Sequence, residues 1–327
     1  MKKILTVFLA ALLASTLFAC GNAGSLDADD HSLYDDLIVV GFTQVGAESD
    51  WRAANTKSMQ DAFTEANGYK LIFDDAQQKQ ERQIIAIRNF IQQEVDYIVL
   101  APTTETGWDT VLQEAKAADI PVIIVDRMIE VADESLFTCW IGSDFRKEGD
   151  AAVAWMEKRF GSQPIHIIHL QGNIGSTAQI GRTAGLDAGM ELHDNWSLLA
   201  RESGEFTQAK SQEIMEGLLE RYDAIDVVYS ENDNMAYGAI DTLKAAGMLP
   251  GRDVIIISFD ANRTALEMTL QGLISLNVEC NPLHGPRVQG IIEKLEAGEI
   301  PQKFSYVEET VFDSETITRA IIDDREY

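Results

Sequence analysis

Short β-branched apolar runs alternate along this chain with longer stretches whose apolar residues recur every three to four positions. From Leu37 the runs predict strands at 37–43, 69–73, 97–101, 121–125 and 136–142. Helical patterns separate them. One starts at Trp51, groups Met59, Ala62, Phe63 and Ala66 on a face and stops at Asn67-Gly68; the next carries Ile84, Ile87 and Ile91; a third covers 108–118. Asp144 is placed to cap a helix that runs to Phe160. A second series repeats the scheme, with strands at 164–170, 197–201, 226–230, 254–259 and 274–280 and helices at 176–192, 207–221, 233–246, 263–271 and 286–297, before a last strand at 304–312. Strands that are apolar throughout are covered on both faces, as in parallel sheets. The expected class is α/β, with two doubly wound Rossmann-like domains.

Polar residues collect where the apolar runs end. The first strand leads into Thr43-Gln44 and a loop to Trp51-Arg52, and Val122–Val125 ends at Asp126-Arg127. Later runs stop at Ser230-Glu231-Asn232-Asp233, at Ser258-Phe259-Asp260 and at Glu279. In open α/β sheets the carboxyl ends of the strands are where ligands bind. The series break near Ser143-Asp144 and near Glu279-Asn281, with a third crossing expected near Asp313. These breaks predict an N-terminal domain of 37–143 plus 281–312 and a C-terminal domain of 144–280 plus 313–327, joined by a multi-strand hinge.

The N-terminus carries a different signal. Lys2-Lys3 precede an apolar stretch, Ile4 to Leu13, that is too short to span a membrane. Leu17-Phe18-Ala19-Cys20 with Gly21 reads as a lipobox, so residues 1–19 are expected to be a lipoprotein signal peptide and Cys20 the lipidated residue. Residues 20–36 read as an acidic tether. The chain holds 26 Lys+Arg against 53 Asp+Glu, and loss of Lys2 and Lys3 leaves 24 − 53 = −29. Such a surface repels phosphate backbones and excludes a nucleic-acid partner. Of the other two cysteines, Cys139 and Cys280, each sits in an apolar strand, where a cysteine usually behaves as a small buried hydrophobe; a disulfide between them is the alternative.

Eight segments in order, VGFTQVGAESDWRAAN, DDAQQKQERQ, APTTETGW, IPVIIVDR, LQGNIGSTAQIGR, SGEFTQAKS, YSENDNMAYGAI and ISFDA, closely resemble the type I periplasmic sugar-binding proteins of ABC importers, and within them the galactofuranose-binding branch. The resemblance runs from about Leu37 to about Leu295. It implies an exported, monomeric receptor, without a cofactor, that takes a neutral monosaccharide between its domains and passes it to an importer permease. The ligand set it implies is Trp51 and Arg52 after the first strand, Asp126 and Arg127 after the fourth, Arg182 on the first helix of the second domain, Phe206, Asn232, Asp260 and the hinge residue Glu279. Ala101 stands where several relatives have a polar residue before the proline, and Glu48 and Ser49, in a longer loop, are expected to replace that contact.

These side chains suit a sugar, whose hydroxyls donate and accept around an apolar C–H face. Arginine forks donate, carboxylates and Asn232 accept, and Trp51 and Phe206 offer stacking surfaces. Three arginines against Asp126, Asp260 and Glu279 balance, which favours a neutral ligand. Each residue also has a plain structural alternative: Arg182 as a solvated helix residue, Phe206 and Trp51 as core, Asn232-Asp233 as a cap for helix 233–246, a role most expected of Asp233. Enzyme signatures are absent. Gly172 to Thr177 follows a strand but lacks the Walker lysine, no Gly-x-Ser-x-Gly or His-Glu-x-x-His occurs, and His166 and His169 fall on opposite faces of a strand. A sugar-loaded sensor for a chemoreceptor or sensor kinase shares the same pocket and is the alternative function.

Overall fold

The computed structural model describes residues 37–327, so the signal peptide, Cys20 and the tether lie outside the described residues. The first five strands, β1 (Ile38–Gln44), β2 (Tyr69–Asp75), β3 (Tyr97–Leu100), β4 (Val122–Val125) and β5 (Cys139–Gly142), are joined by α1 (Asp50–Ala62), α2 (Gln80–Gln92) and α3 (Asp109–Ala117). The helix α4 (Phe145–Phe160) opens the second half, in which β6 (Ile165–Gln171), β7 (Trp196–Ser203), β8 (Val227–Ser230), β9 (Ile255–Asp260) and β10 (Leu276–Glu279) are joined by α5 (Thr177–Leu192), α6 (Gln208–Leu219), α7 (Asp233–Ala245) and α8 (Arg263–Leu270). The chain then adds α9 (Gly285–Glu296), β11 (Phe304–Tyr306), β12 (Val311–Asp313) and α10 (Arg319–Asp323).

Two six-stranded sheets result, ordered β11-β5-β4-β3-β1-β2 and β12-β10-β9-β8-β6-β7. All pairings are parallel except β12 on β10. The apolar runs explain why. Val99, Ile123 and Val125 pack on one face of the first sheet, and Ile98, Leu100 and Ile124 on the other. The second sheet is covered in the same way by two apolar clusters. Each sheet with its helices forms a lobe, and among the described residues no helix is long and apolar enough to cross a membrane. In both sheets the strand order reverses beside the first strand of the series, at β1 and at β6, so the polar strand ends converge on one rim.

Two boundaries differ from expectation. The helix from Trp51 ends at Ala62, because Asn67 Nδ2 donates back to Ala62 O (2.9 Å) and Gly68 turns the chain at φ 85°; Ala66 sits exposed on the short turn between them. The expected strand 304–312 is two strands in different sheets, and the third crossing occupies 307–310 rather than lying near Asp313. Apolarity cannot separate the two, since β11 fully buries none of its three residues and β12 only Phe312. Cys139 and Cys280 are free, buried thiols, the first inside a strand and the second at a crossing.

Candidate functional site

The converging strand ends and the helix starts beside them line a narrow cavity, with about 300 Å³ of atom-free space when the open solvent at its mouth is included. Ten of the eleven residues expected at the ligand line it: Glu48, Ser49, Trp51, Arg52, Asp126 and Arg127 from the first lobe, and Arg182, Phe206, Asn232 and Asp260 from the second. The lobes meet at its edges, where Met128 N donates to Thr177 Oγ1 and Asp50 N to Asn234 Oδ1, both at 3.0 Å.

Ser49 caps α1 by accepting from Arg52 N, which sets the first turn carrying Trp51 and Arg52. Arg52 donates to Gln44 Oε1 at the end of β1 (3.1 Å), pairs with Asp126 Oδ2 at 2.8 Å and with Glu48 Oε1 at 3.2 Å, and lies over the Trp51 ring. Burial works against this guanidinium, but Asp126 and Glu48 outweigh it and raise its pKa. Arg127 is less well compensated: burial, and then Arg52, push it down to about 10. It donates to Thr103 O (3.3 Å) and sits 5.5 Å over Phe206, with Glu48 3.6 Å away. Asp126 and Arg127 thus face inward from β4, as the polar ending of that run predicts.

In the second lobe, Arg182 projects from α5 between the rings of Phe145 and Phe259. It bonds Glu148 Oε2 at 2.6 Å and Glu231 O at 2.5 Å and approaches Asp260 at 3.7 Å. It is a buried, paired residue and not a solvated one. Burial pushes Asp260 well above the ordinary carboxylate range, and Arg182 pulls it back only in part. Asn232 caps α7 through Met235 N (2.9 Å) while its amide donates to Phe206 O (3.1 Å), so the cap residue also holds Phe206 in place. Asp233 is not the cap. It is a buried carboxylate accepting from Ser258 Oγ, Asn277 Nδ2 and Asn262 N, and it fixes the turn that follows Asp260.

Glu279 is the exception. Its side chain accepts from Thr310 N (3.0 Å) and Tyr327 OH (2.9 Å) and pairs with Arg325, away from the cavity. The wall residue at this crossing is its neighbour Cys280. Successive residues of an extended chain point to opposite sides, so a one-residue offset exchanges them. Glu48 takes the place of Glu279 in the lining, so three arginines share the cavity with the carboxyl groups of Glu48, Asp126 and Asp260. Phe145 and Ala178 also line it and were not foreseen, since each reads as a core residue of its helix. Glu48 Oε2 is buried without a hydrogen-bond partner, and Asp126 Oδ2 is ion-paired but accepts no aligned hydrogen bond.

A model of the "Periplasmic binding protein domain" matches residues 40–284. The chain belongs to the periplasmic binding protein family. Like other periplasmic binding proteins, it aligns with relatives over nearly its whole folded length. It is 36% identical over 279 residues to the galactofuranose-binding protein YtfQ of Escherichia coli strain K12, covering 84% of this chain and 87% of that one. A Mycobacterium smegmatis structure in complex with β-D-fucofuranose is similar at 39% identity and a TM-score of 0.85, covering 89% of this chain and 95% of its own. The binding protein of the arabinose ABC transporter of Shewanella sp. ANA-3, bound to α- and β-L-arabinofuranose, is 40% identical with a TM-score of 0.83, covering 88% and 95%. These relatives are solute-binding proteins and not enzymes.

Proposed function

We propose that this periplasmic binding protein captures a neutral monosaccharide in its furanose form, a galactofuranose-like hexose or a pentose, and delivers it to the permease of an ABC importer. The observation that carries the reading is the cavity itself: three arginines among three carboxyl groups, acceptor oxygens at Glu48 and Asp126 without in-line donors, and two aromatic rings from opposite lobes. A closed ring of this kind satisfies hydroxyls and would leave a charged ligand unpaired. The relatives with furanoses in their sites support the ring form. Glu48, Trp51, Arg52, Asp126, Arg127, Arg182, Phe206, Asn232 and Asp260 would contact or orient the sugar, with the lobes rotating about the crossings at 143–144, 279–281 and 307–310. The protein would act as a monomer outside the cytoplasmic membrane, held there by acyl chains on Cys20.

A thermal-shift and calorimetric panel of pentoses and hexoses, with the bound ring form read by carbon NMR, tests this. A cognate sugar at 100 times its Kd adds about 2.7 kcal/mol of stability. Scattering should show a smaller radius of gyration in the bound state. Binding of pyranose forms alone, or of an anionic sugar in preference, overturns the furanose reading. Cys20→Ser should release the protein from the membrane fraction, and retention there overturns the anchor.

A further inference from the structure

The three segments that pass between the lobes meet at one carboxyl oxygen. Glu309, on the third crossing, accepts at Oε1 from Ser143 Oγ on the first (2.5 Å) and from Asn281 N on the second (2.8 Å). Ser143 Oγ also lies 3.3 Å from Cys280 Sγ. Side-chain ligand atoms of Glu309, Cys280 and Glu148 fall within 4.8 Å of one another, and Glu148 holds Arg182 of the ligand cavity. A chain of contacts therefore runs from the hinge to the site.

We propose that Glu309 is a positioning residue that fastens the three crossings in the closed arrangement and, through Glu148, sets the place of Arg182 for the ligand. This rests on the reading that the lobes close over a sugar. Rotation about the crossings changes the backbone angles of 143–144, 279–281 and 307–310, so opening must move Ser143 or Asn281 away from Glu309.

The surroundings of Glu309 also give the fastening a pH dependence. Glu148, Asp144 and Lys147 face the same hinge cavity from α4, Arg182 approaches from α5 and Cys280 from the second crossing. Burial, and then the Glu148 charge, push the Glu309 carboxyl up to about 8. Opening that exposes the hinge cavity would return the carboxyl toward its ordinary value, so the raised group favours closure below that value and the advantage is lost as pH rises toward about 8. Ligand affinity should therefore fall between about pH 4.5 and 8 and level off above. A neutral acid still accepts at Oε1, and so does a glutamine amide.

Spin labels on exposed helix positions of the two lobes, at Lys57→Cys and Lys210→Cys, report closure without a ligand. Glu309→Ala should shift the distances toward longer values and weaken sugar binding at least about tenfold, whereas Glu309→Gln should keep the wild-type distances and bind at least as tightly as the wild type. Ser143→Ala, which leaves the carboxyl in place, should shift the distances in the same direction by less. The wild-type Kd should weaken at least about threefold from pH 5.5 to 8.5, and Glu309→Gln should flatten that part of the profile. Wild-type distances in Glu309→Ala, or equal damage in Glu309→Gln, would overturn the proposal. If the wild type binds no sugar, the functional reading fails while the distance distributions still decide the role of Glu309.

Discussion

Three residues on the cavity wall hold backbone angles that side-chain-bearing residues seldom adopt: Asp126 at φ 64°, Phe206 at 61° and Asp260 at 107°. Such conformations cost roughly 1–3 kcal/mol each and persist only where the surroundings over-determine them. Here the restraints are visible. Trp140 Nε1 donates to Asp126 O (3.1 Å), Asn232 grips Phe206 O, and Asp233 accepts from Asn262 N two residues after Asp260. The strain turns each side chain off its strand axis and into the cleft. Asp126 and Asp260 were legible from polar strand endings and Phe206 only through the family resemblance; the strain and its restraints were not, because a left-handed angle leaves no mark on hydrophobic periodicity. Removing one charge from a closed, dry pair costs roughly 2–5 kcal/mol, against 0–1 for an exposed pair. Arg127→Ala and Asp260→Ala should each weaken sugar binding at least about thirtyfold, at 1.4 kcal/mol per tenfold. Because burial favours the neutral acid at Asp260, Asp260→Asn should lose far less than Asp260→Ala. Lys57→Ala on an exposed face should change nothing, and calorimetric titration of the four variants decides it.

At the level of elements, the site depends on how closely a strand end can approach its neighbour. Gly172 follows β6, and a Cβ there would lie 1.9 Å from Phe206 Cζ. Its N–H also donates to Glu231 Oε2 (2.7 Å), on the residue whose carbonyl receives Arg182. A glycine after a strand reads in sequence as a loop signal, and in the structure it is the space into which the Phe206 ring fits. Gly172→Ala should push that ring toward the cavity and weaken sugar affinity about tenfold or more, since volume added to a packed contact costs typically 1–3 kcal/mol. An unchanged affinity with an unchanged circular dichroism spectrum would show that Phe206 does not shape the site. The alternation of strands and helices was legible throughout, because buried parallel strands are continuous apolar runs and the helices keep their own period. Where those signals weaken, at the two short edge strands β11 and β12, the sequence could not say which sheet each one joins, and the third crossing was displaced. The same limit exchanged Glu279 for Cys280, since periodicity gives the alternation of faces but not which face meets the cleft.

At the scale of the whole molecule, closure depends on a side chain that belongs to one lobe and packs in the other. Trp51 stands in the first turn of α1, yet its ring joins the apolar cluster of Phe145, Ala178 and Phe206. Its Nε1 donates to Cys280 O of the second crossing at 2.6 Å, and its edge meets His284. The sequence offered core and ligand contact as alternatives for Trp51; in the structure its ring joins the apolar cluster and also lines the cavity. For the neutral sugar proposed above, the acidic surface, at net −27 for the whole chain, would give no long-range pull, so encounter would be set by diffusion and specificity by closure. A tryptophan whose ring packs against the other lobe acts on the closed complex and hardly on the encounter. Trp51→Ala should therefore raise koff about tenfold or more and leave kon nearly unchanged, as is usual for contacts completed after association. Trp51→Phe keeps an aromatic face and loses only the N–H bond, worth about 0.5–1.5 kcal/mol, so its koff should rise about two- to tenfold. Stopped-flow binding of the cognate sugar separates the two rates. If Trp51→Ala slows kon and spares koff, the ring guides entry and does not latch the closed form.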